Sequence, residues 1–353
     1  MKNINPFIPD KKHNPKYFCN RDNEISILIK EITENRNIFI LANKGIGKTK
    51  LINHLFYILS QSGTYLTIYH NVDFPGTFDD FAGGLLNKII DSLPKKKAKN
   101  FTRYSIDQNP GKGSDENLTD IGTEEILNKS FSLLRQIEKK IIIALDNCEL
   151  FPHLSPEKIE RMVIEPLSSI ENITIILSGR KTILLPQNCK QIYLHKIDQS
   201  VYAKFIKDLF SKKGSPLSKK AISKLMIWSS GSTEIVQLVC SRLWLLNKKK
   251  IKLKDLESTL DQIIAEANTY YFHILNLISP YQLKLLRAIA LQDLPFQVTS
   301  ASFIKKYGLN APSSVKTALK ALSEKDLIFR KGNSYLLKDV LLNNWFNHRN
   351  GGI

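Results

Sequence analysis

Cysteine is scarce in this chain, and long apolar runs are missing. The 353 residues include four cysteines, which lie far apart and form no Cys-x-x-Cys pair: Cys19, Cys148, Cys189 and Cys240. The seven histidines form no cluster with ligand spacing, so neither a disulfide framework nor a structural metal site is expected. No apolar stretch approaches the ~20 residues that cross a bilayer, and the first residues contain no signal core. We therefore expect a cytoplasmic protein with reduced thiols and no membrane segment.

Acidic residues are also few, and the surplus of positive charge lies in the second half. The chain has 51 basic against 33 acidic residues, a net charge of +18. Residues 1–195 carry 26 Lys and Arg against 22 Asp and Glu, whereas residues 196–353 carry 25 against 11. Clustered cations gain from counterion release on a phosphate backbone, which favours nucleic acid over membrane as a partner. The alternative is a solvated, lysine-rich exterior.

The first half alternates apolar strands with helical segments, as in a parallel sheet with helices on both faces. The predicted strands are Ile38–Ala42, Tyr65–His70, Ile141–Asp146, Ile173–Ser178 and Gln191–His195. The predicted helices are 48–61, 77–92, 119–138 and 156–169. Residues 94–118, rich in Lys, Pro and Gly, predict a long exposed loop.

Helices dominate from Asp198 onward. Helical segments at 198–211, 217–229, 233–247 and 253–276 predict an all-α lid. Three more, at 281–291, 299–306 and 312–323, precede two extended segments around Gly332-Asn333, a pair suited to a tight hairpin turn. This order predicts a winged helix. We expect an ATPase core at 1–196, a helical lid at 197–277 and a winged-helix domain at 278–353.

Residues 37–49 read as a buried strand followed by a phosphate-binding loop, with Ala42 at the first glycine position of the Walker A pattern. Gly45 and Gly47 let backbone N–H groups point at phosphates, Lys48 adds a charge, and the Thr49 hydroxyl suits Mg²⁺. The predicted binding residues for ATP are Asn43, Lys44, Gly45, Ile46, Gly47, Lys48, Thr49 and Lys50. A glycine-rich turn that binds nothing is the alternative.

A second phosphate motif is expected about 100 residues later, as an apolar strand that ends in an acid. Ile141 to Asp146 fits, and Asp146 is predicted to hold Mg²⁺ together with Thr49. The next residue, where many ATPases have a catalytic glutamate, is Asn147, whose amide can hold a water but cannot accept its proton. Glu149 can substitute only if the chain has already turned. Hydrolysis is therefore expected to be slow.

The fourth predicted strand ends in Ser178-Gly-Arg180. Ser178 is predicted to position a water, and Arg180 to stabilise charge on the transferring phosphoryl group, in its own subunit or a neighbour. A surface turn with an ordinary arginine is the alternative.

The segment from Pro312 would be the recognition helix of the winged helix. Val315, Ala318, Leu319 and Leu322 have core spacing. The candidate nucleic-acid contacts are Ser313, Ser314, Lys316, Thr317 and Lys320 on the helix and Arg330 and Lys331 in the hairpin. Hydroxyls and lysines suit phosphates, but the exposed face offers no bidentate base contact, so double-stranded DNA and a protein partner stay open.

In combination, these segments resemble the archaeal-type ATPases of the AAA+ superfamily, which are close to STAND NTPases and origin-recognition initiators. Asn5-Pro-Phe and Tyr17-Phe-Cys-Asn-Arg21-Asp-Asn-Glu24 are similar to the family's opening motif, and the resemblance implies that this segment, including Arg21, helps enclose the adenine. Leu177-Ser-Gly-Arg180 resembles its sensor 1 region. Gly231 to Leu238 resembles its lid helix, although Thr233 replaces the usual proline and Glu234 replaces the sensor 2 arginine. Tyr335 to Trp345 resembles the end of the family's winged helix.

Three functions are consistent with this sequence. The first is an ATP-binding, slowly hydrolysing switch whose nucleotide state controls the basic winged helix. The second is a DNA-binding initiator or mobile-element protein with incidental hydrolysis. The third is a signalling or defence ATPase that forms homo-oligomers and uses the winged helix for protein contacts.

Overall fold

The computed structural model of this chain describes residues 5–8, 13–72, 77–94, 98–99, 101, 103, 122–150, 156–181, 185–186, 188–292 and 297–350. Two compact units are present. The sheet unit comprises Lys11–Asn43 and Gly47–His195, and the helical unit comprises Met1–Asp10, Lys44–Ile46 and Lys196–Ile353. The division into three domains at 196 and 277 stays a prediction.

Five parallel strands form the centre of the sheet unit. They are β1 Asn37–Leu41, β2 Tyr65–Asn71, β3 Lys140–Asp146, β4 Ile173–Gly179 and β5 Cys189–Tyr193. Their order is β2-β3-β4-β1-β5, and each neighbouring pair is parallel. The apolar runs of β3 and β4 suit central positions because both faces of such strands are covered. Since all five strands run the same way, their carboxyl ends meet at one edge of the sheet.

Helices cover both faces of this sheet, as the sequence predicts. They are α1 Asp22–Thr33, α2 Lys48–Gln61, α3 Phe78–Ser92, α4 Thr123–Arg135, α5 Pro156–Ile159 and α6 Glu165–Ser168. The larger core joins α3 and α4 to β2, β3 and β4, with Phe81, Leu85 and Leu134 among its buried side chains. On the other face, α1 and α2 bury Leu28 and Leu55. Burial of these apolar stripes is the main force that holds the helices to the sheet.

Two parts of the sheet unit differ from the sequence prediction. Helix α1 was not predicted, and the helix predicted at 156–169 is divided by a π-helical turn, Glu160–Ile164. The physical reason for the division is Pro166, which has no N–H to bond the carbonyl four residues earlier. Of the loop predicted at 94–118, the stretch 104–118 lies outside the described residues.

The helical unit contains eight helices and one hairpin in its described part. The helices are α7 Gln199–Lys212, α8 Lys219–Trp228, α9 Thr233–Leu245, α10 Leu253–Leu275, α11 Pro280–Ala290, α12 Ala301–Lys306, α13 Pro312–Glu324 and α14 Val340–Asn350. The hairpin strands are β6 Ile328–Lys331 and β7 Ser334–Leu337, which pair antiparallel. Gly332, with φ of 60°, makes the turn between them. Helix α14 was not predicted as a helix.

A second core joins α10 to the winged-helix elements. Val315, Ala318, Leu319 and Leu322 of α13 are all buried in it, as predicted. Two hydrogen bonds reinforce this packing: Tyr271 donates to Asp339 Oδ2 at 3.0 Å, and Trp345 Nε1 donates to Asn268 Oδ1 at 2.6 Å. Burial raises the pKa of the Tyr271 phenol well above its ordinary value, and the neighbouring Asp339 carboxylate acts in the same direction. Among the helices in the described ranges, none is both long and apolar enough to span a membrane.

Candidate functional site: a phosphate-binding loop and a buried carboxylate

The loop between β1 and α2 has the backbone of a phosphate-binding turn. Gly45 and Gly47 have φ of +76° and +100°, values that favour glycine. Ala42 is not among the described residues with positive φ, and it is buried. An L-residue with a methyl group therefore fits the first position of the motif, and the replacement of glycine by alanine needs no strained backbone.

Lys48 is the first residue of α2, and its side chain is 7% exposed. Its ammonium donates a hydrogen bond to the carbonyl oxygen of Ala42 at 2.9 Å. Burial lowers the pKa of Lys48, while the negative charges of Glu149 and then Asp146 oppose that shift. A buried ammonium with one backbone partner retains donor capacity for an anion in the same loop.

Asp146, the last residue of β3, is fully buried and is held by several donors. Thr49 Oγ1 donates to its Oδ2 at 2.5 Å, and the Tyr69 hydroxyl donates to the same oxygen at 2.8 Å. Ser178 Oγ and the backbone N–H of Asn147 donate to Oδ1. The structure thus brings Thr49, Asp146 and Ser178 together, because β4 lies between β3 and β1 and all three strands end at this edge. No sequence pattern indicated Tyr69.

The chain turns immediately after Asp146. Asn147 has φ of +61°, and Cys148–Leu150 form a single 3-10 turn. Asn147 Nδ2 donates to Asn71 Oδ1, at the end of β2, at 2.9 Å. The sequence predicts that Glu149 can replace a catalytic glutamate only if the chain turns before it, and this turn is present. In an extended strand the side chains would point alternately to the two faces of the sheet, but β3 has already ended, so this rule does not apply to Glu149.

Glu149 and Arg180 form an ion pair at the same edge. Arg180 Nε lies 2.5 Å from Glu149 Oε1, and the Arg180 backbone N–H donates to Oε2 at 3.0 Å. The side chains are 8% exposed for Glu149 and 26% exposed for Arg180. Gly179 permits this approach, since a Cβ there would lie 2.9 Å from Glu149 Oε2. Arg180 is thus engaged with a carboxylate of its own chain.

The remaining predicted loop residues have different exposures. Asn43 and Lys44 are exposed, Lys50 is half-buried, and Ile46 is buried. Arg21 is also buried and pairs with Glu24, its NH1 lying 2.7 Å from Oε1.

Gly45 has contacts within the helical unit that no sequence pattern indicated. Its carbonyl oxygen accepts hydrogen bonds from Thr233 Oγ1 at 2.6 Å and from the Glu234 N–H at 3.2 Å. A Cβ on Gly45 would lie 2.6 Å from Ser232 Oγ, so only glycine fits there. The first turn of α9 therefore holds the tip of the loop. Thr233, where the resembled family has proline, supplies a hydroxyl that proline lacks.

The donor set of this edge fits a nucleotide with Mg²⁺. Backbone N–H groups of a glycine-rich turn and the start of α2 suit phosphate oxygens, and the Lys48 ammonium can neutralise them. Thr49 and Asp146 would hold Mg²⁺, since hydroxyl and carboxylate oxygens are the ligands this cation prefers. The magnesium ion would supply charge neutralisation at the phosphates.

The candidate nucleic-acid residues lie in the helical unit. On α13, Ser313, Lys316, Thr317 and Lys320 are exposed, and Ser314 is half-buried. In the hairpin, Arg330 and Lys331 are exposed as well. Arg330 Nε donates to the carbonyl oxygen of Gly332 at 2.8 Å, which stiffens the hairpin turn.

Comparisons with known proteins identify the fold. Residues 269–348 match a protein-family model described as "Probable winged helix domain". The Walker-type ATPase paby2304 of Pyrococcus abyssi is similar over 97% of this chain and 99% of its own, with 15% identity and a TM-score of 0.67. Orc1 of Aeropyrum pernix, solved in complex with DNA, is similar over 97% of this chain and 95% of its own, with 12% identity and a TM-score of 0.55.

A search of curated proteins finds no match. Sequence identities this low establish architecture and leave activity to be argued from the site itself. The likeness in structure and the matched C-terminal region show that this chain shares the fold of the Walker-type ATPase of Pyrococcus abyssi and has a winged helix over residues 269–348.

Proposed function

We propose that this protein is an ATP-binding switch that hydrolyses ATP slowly and whose nucleotide state controls its basic winged helix. The observation that supports it best is the arrangement of Lys48, Thr49 and Asp146. The buried ammonium lies in the glycine loop, and the threonine hydroxyl donates to the buried carboxylate. Such a constellation binds and neutralises a magnesium triphosphate.

The mechanism rests on positioning and charge. The loop amides and Lys48 would bind the phosphates, and Thr49 with Asp146 would hold the magnesium ion. Ser178 fixes one oxygen of Asp146 while Tyr69 fixes the other. Asn147 cannot take a proton from water, which is the reason to expect slow turnover.

Titration calorimetry with ATP and ADP in the presence of Mg²⁺ tests this proposal. The wild type should bind both nucleotides, and Lys48→Ala should weaken ATP binding at least ~30-fold, since charge-assisted contacts with a buried partner contribute about 2 kcal/mol or more. Lys140→Ala is the matched control, because Lys140 is an exposed lysine at the opposite end of β3. A Lys48→Ala protein with wild-type affinity would contradict the proposal.

A second candidate function is DNA binding by the winged helix, either as an initiator or in a mobile element. It is supported by the exposed hydroxyls and lysines of α13 and by the structural likeness to Orc1, which was solved with DNA. Retention of duplex DNA that weakens steeply with salt would support it. Binding that is absent at low salt would exclude it.

An oligomerising ATPase is the third candidate. The molecular mass in solution, measured with ATP, with ADP and without nucleotide, separates it from a constitutive monomer. A nucleotide-dependent increase in mass would favour an assembly that forms through the ATPase core and leaves the winged helix as an interaction surface.

A further inference from the structure

The helical unit contains a polar cavity of about 750 Å³, lined by the outward face of α8, the end of α11 and one face of α14. This volume is typical of sites for small ligands, which range from about 300 to 1,000 Å³. In the described part of the chain, neither the phosphate loop nor α13 nor the hairpin contributes to the lining. ATP binding and the predicted nucleic-acid contacts therefore leave this cavity without a role.

Three asparagines on one face of α14 contribute side-chain amides to the cavity. Asn344 Nδ2 donates to the carbonyl oxygen of Trp228 at 2.9 Å, and Asn347 Nδ2 donates to that of Ala290 at 3.2 Å. Because a carbonyl can only accept, these contacts fix which end of each amide is the nitrogen. Both amide oxygens lack a donor among the described residues, and the Asn343 side chain has no hydrogen-bond partner there. Helix α14 thus offers two oriented acceptors and one complete amide.

Helix α8 contributes positive charge and apolar surface. Lys220 and Lys224, one turn apart, both line the cavity and are exposed. Lys224 Nζ lies 2.6 Å from Glu257 Oε1, whereas Lys220 has no ion pair within the described ranges. Ile227, which is 72% exposed, and the half-buried Trp228 line the next turn. The cavity therefore combines an unpaired ammonium, an indole ring and unpaired amides.

These groups match the parts of a nucleotide. A side-chain amide presents a donor and an acceptor side by side, which is the pattern that the edge of a nucleobase complements. Indole rings stack on bases, and ammonium groups neutralise phosphates. A simple anion would be repelled by the amide oxygens, and an apolar ligand would leave every polar group unpaired. The cavity therefore favours a ligand that has both N–H donors and an anionic group.

We propose that this cavity is a second nucleotide-binding site, in which Asn343 binds the edge of a base and Lys220 binds its phosphate. Trp228 supplies the stacking surface, and Asn344 and Asn347 accept hydrogen bonds from N–H groups of the base. The ligand is a base with one phosphate, either a free mononucleotide or an unpaired nucleotide of a single strand. The inference does not depend on ATP binding, because the cavity shares no residue with the phosphate loop.

Binding is measured on the full chain with Lys48→Ala, so that the phosphate loop contributes little. The probes are AMP, CMP, GMP and UMP, and single-stranded DNA hexamers of one base each. At least one probe should bind and quench tryptophan fluorescence, and Trp228→Phe should remove that quenching, because stacking on the indole causes it. Binding of a mononucleotide identifies a free nucleotide as the ligand. Binding of a hexamer alone identifies an unpaired nucleotide of a strand.

Asn343→Ala tests the contact with the base. Affinity for the bound probe should fall about tenfold, the usual effect of losing an amide contact with a base edge. The fold should be unaffected, because this side chain has no hydrogen-bond partner among the described residues and alanine favours a helix. Asn128→Ala is the matched control, since Asn128 is an exposed asparagine of α4 that also lacks such a partner.

Lys220→Gln tests the contact with the phosphate. Affinity should fall about fivefold, because one charge-assisted contact is lost. Lys219→Gln is the control: Lys219 is an exposed lysine of the same helix that does not line the cavity, so the same charge is removed. Equal losses for the two variants would show a diffuse cationic surface and overturn the proposal.

Two further results would overturn this inference. One is the absence of binding by all the probes. The other is a hexaglutamate peptide that binds as tightly as the nucleotides, together with no effect of Asn343→Ala, because charge alone would then explain the binding. If Lys48→Ala does not fold, the same titrations on wild-type protein and on Asn343→Ala decide. ATP affinity that Lys48→Ala leaves unchanged defeats the proposed function, whereas this inference depends on Asn343→Ala.

Discussion

At the scale of one residue, Asp146 shows which hydrogen-bond donors around a predicted ligand follow from the sequence and which do not. The sequence predicts the acid from an apolar run that ends in aspartate, and Thr49 from the loop motif. It does not predict Tyr69, because a tyrosine on a half-buried strand carries no mark of its partner. Its hydrogen bond to Asp146 depends on the alignment of β2 with β3, in which Asn71 pairs with Asp146.

Removing the Tyr69 hydroxyl tests its contribution. Tyr69→Phe should lower the free energy of unfolding by about 1.5–3 kcal/mol, because a buried carboxylate loses one donor. Urea denaturation without nucleotide measures this change. Tyr65→Phe is the control, since the Tyr65 hydroxyl on the same strand has no hydrogen-bond partner among the described residues. Equal effects of the two substitutions would contradict the assigned role.

Ala42, which stands at the first glycine position of the motif, allows the motif glycine to be restored. Restoring the motif glycine with Ala42→Gly should leave ATP affinity within about twofold, because the backbone there is already compatible with an L-residue. The substitution should cost about 0.5–1 kcal/mol of stability through the added freedom of the unfolded chain. Calorimetry and denaturation on the same protein check both numbers. A large gain in affinity would show that the methyl group obstructs the phosphates.

At the scale of elements, most of the periodic segments were predictable, whereas helices α1 and α14 were not. The five strands follow from apolar runs bounded by turn residues, and α2, α9 and α13 follow from their apolar periodicity. Helix α1 was missed because isoleucine and leucine are so dense at 25–29 that no single face dominates. Helix α14 was missed because its four asparagines are weak helix formers, whereas burial of Leu342, Trp345 and Phe346 stabilises it.

The first turn of α9 offers a test at this scale. Thr233→Val removes the hydroxyl that donates to Gly45 and keeps the size of the side chain. We expect a loss of about 1 kcal/mol in stability, since one neutral hydrogen bond disappears and a carbonyl loses a partner. Faster amide exchange should be confined to the loop around Gly45. Ser241→Ala, farther along the same helix, serves as control, and unchanged exchange in Thr233→Val would contradict the contact.

Helix α3 and strand β2 meet at a histidine that is sensitive to pH. Burial, with a smaller effect of Lys88, lowers the pKa of His70 to about 4. Below the ordinary pKa of 6.5, His70 is protonated in the unfolded chain but stays neutral in the folded protein. Stability is therefore retained above pH 6.5 and lost as the pH falls toward 4, by about 3 kcal/mol.

Chemical denaturation across this range, compared with His70→Gln, measures that loss. The variant should not show the loss of stability that His70 causes between pH 6.5 and 4. Acidic groups elsewhere should change the stability of both proteins equally. An identical pH profile for the two proteins would show that His70 accepts its proton in the folded state.

At the scale of the whole molecule, the sequence predicts the uneven distribution of charge, but it does not predict whether the basic part binds a polyanion. Residues 196–353 hold most of the net positive charge, and α13 presents lysines and hydroxyls outward. Counting charges cannot distinguish a phosphate-binding face from a solvated one, because both are rich in lysine. The distinction requires a measurement on the full chain.

Salt dependence provides that measurement. If Lys316 and Lys320 contact DNA phosphates, replacing both by glutamine should reduce the slope of log affinity against log salt by about 2. The control replaces Lys204 and Lys207, two exposed lysines of α7, and so removes the same charge. Equal slopes for the two double variants would indicate that no specific face of the protein meets the nucleic acid.

The tip of the phosphate loop, Lys44–Ile46, belongs by its contacts to the helical unit although its neighbours on both sides belong to the sheet unit. Modules that recombine during evolution are usually cut where no functional loop crosses the boundary. Here a swap of the C-terminal half would also replace Thr233 and Glu234, the donors that hold Gly45. The two halves are therefore expected to be inherited together, because a hybrid between distant homologues would lose these partners of Gly45 even when each half folds.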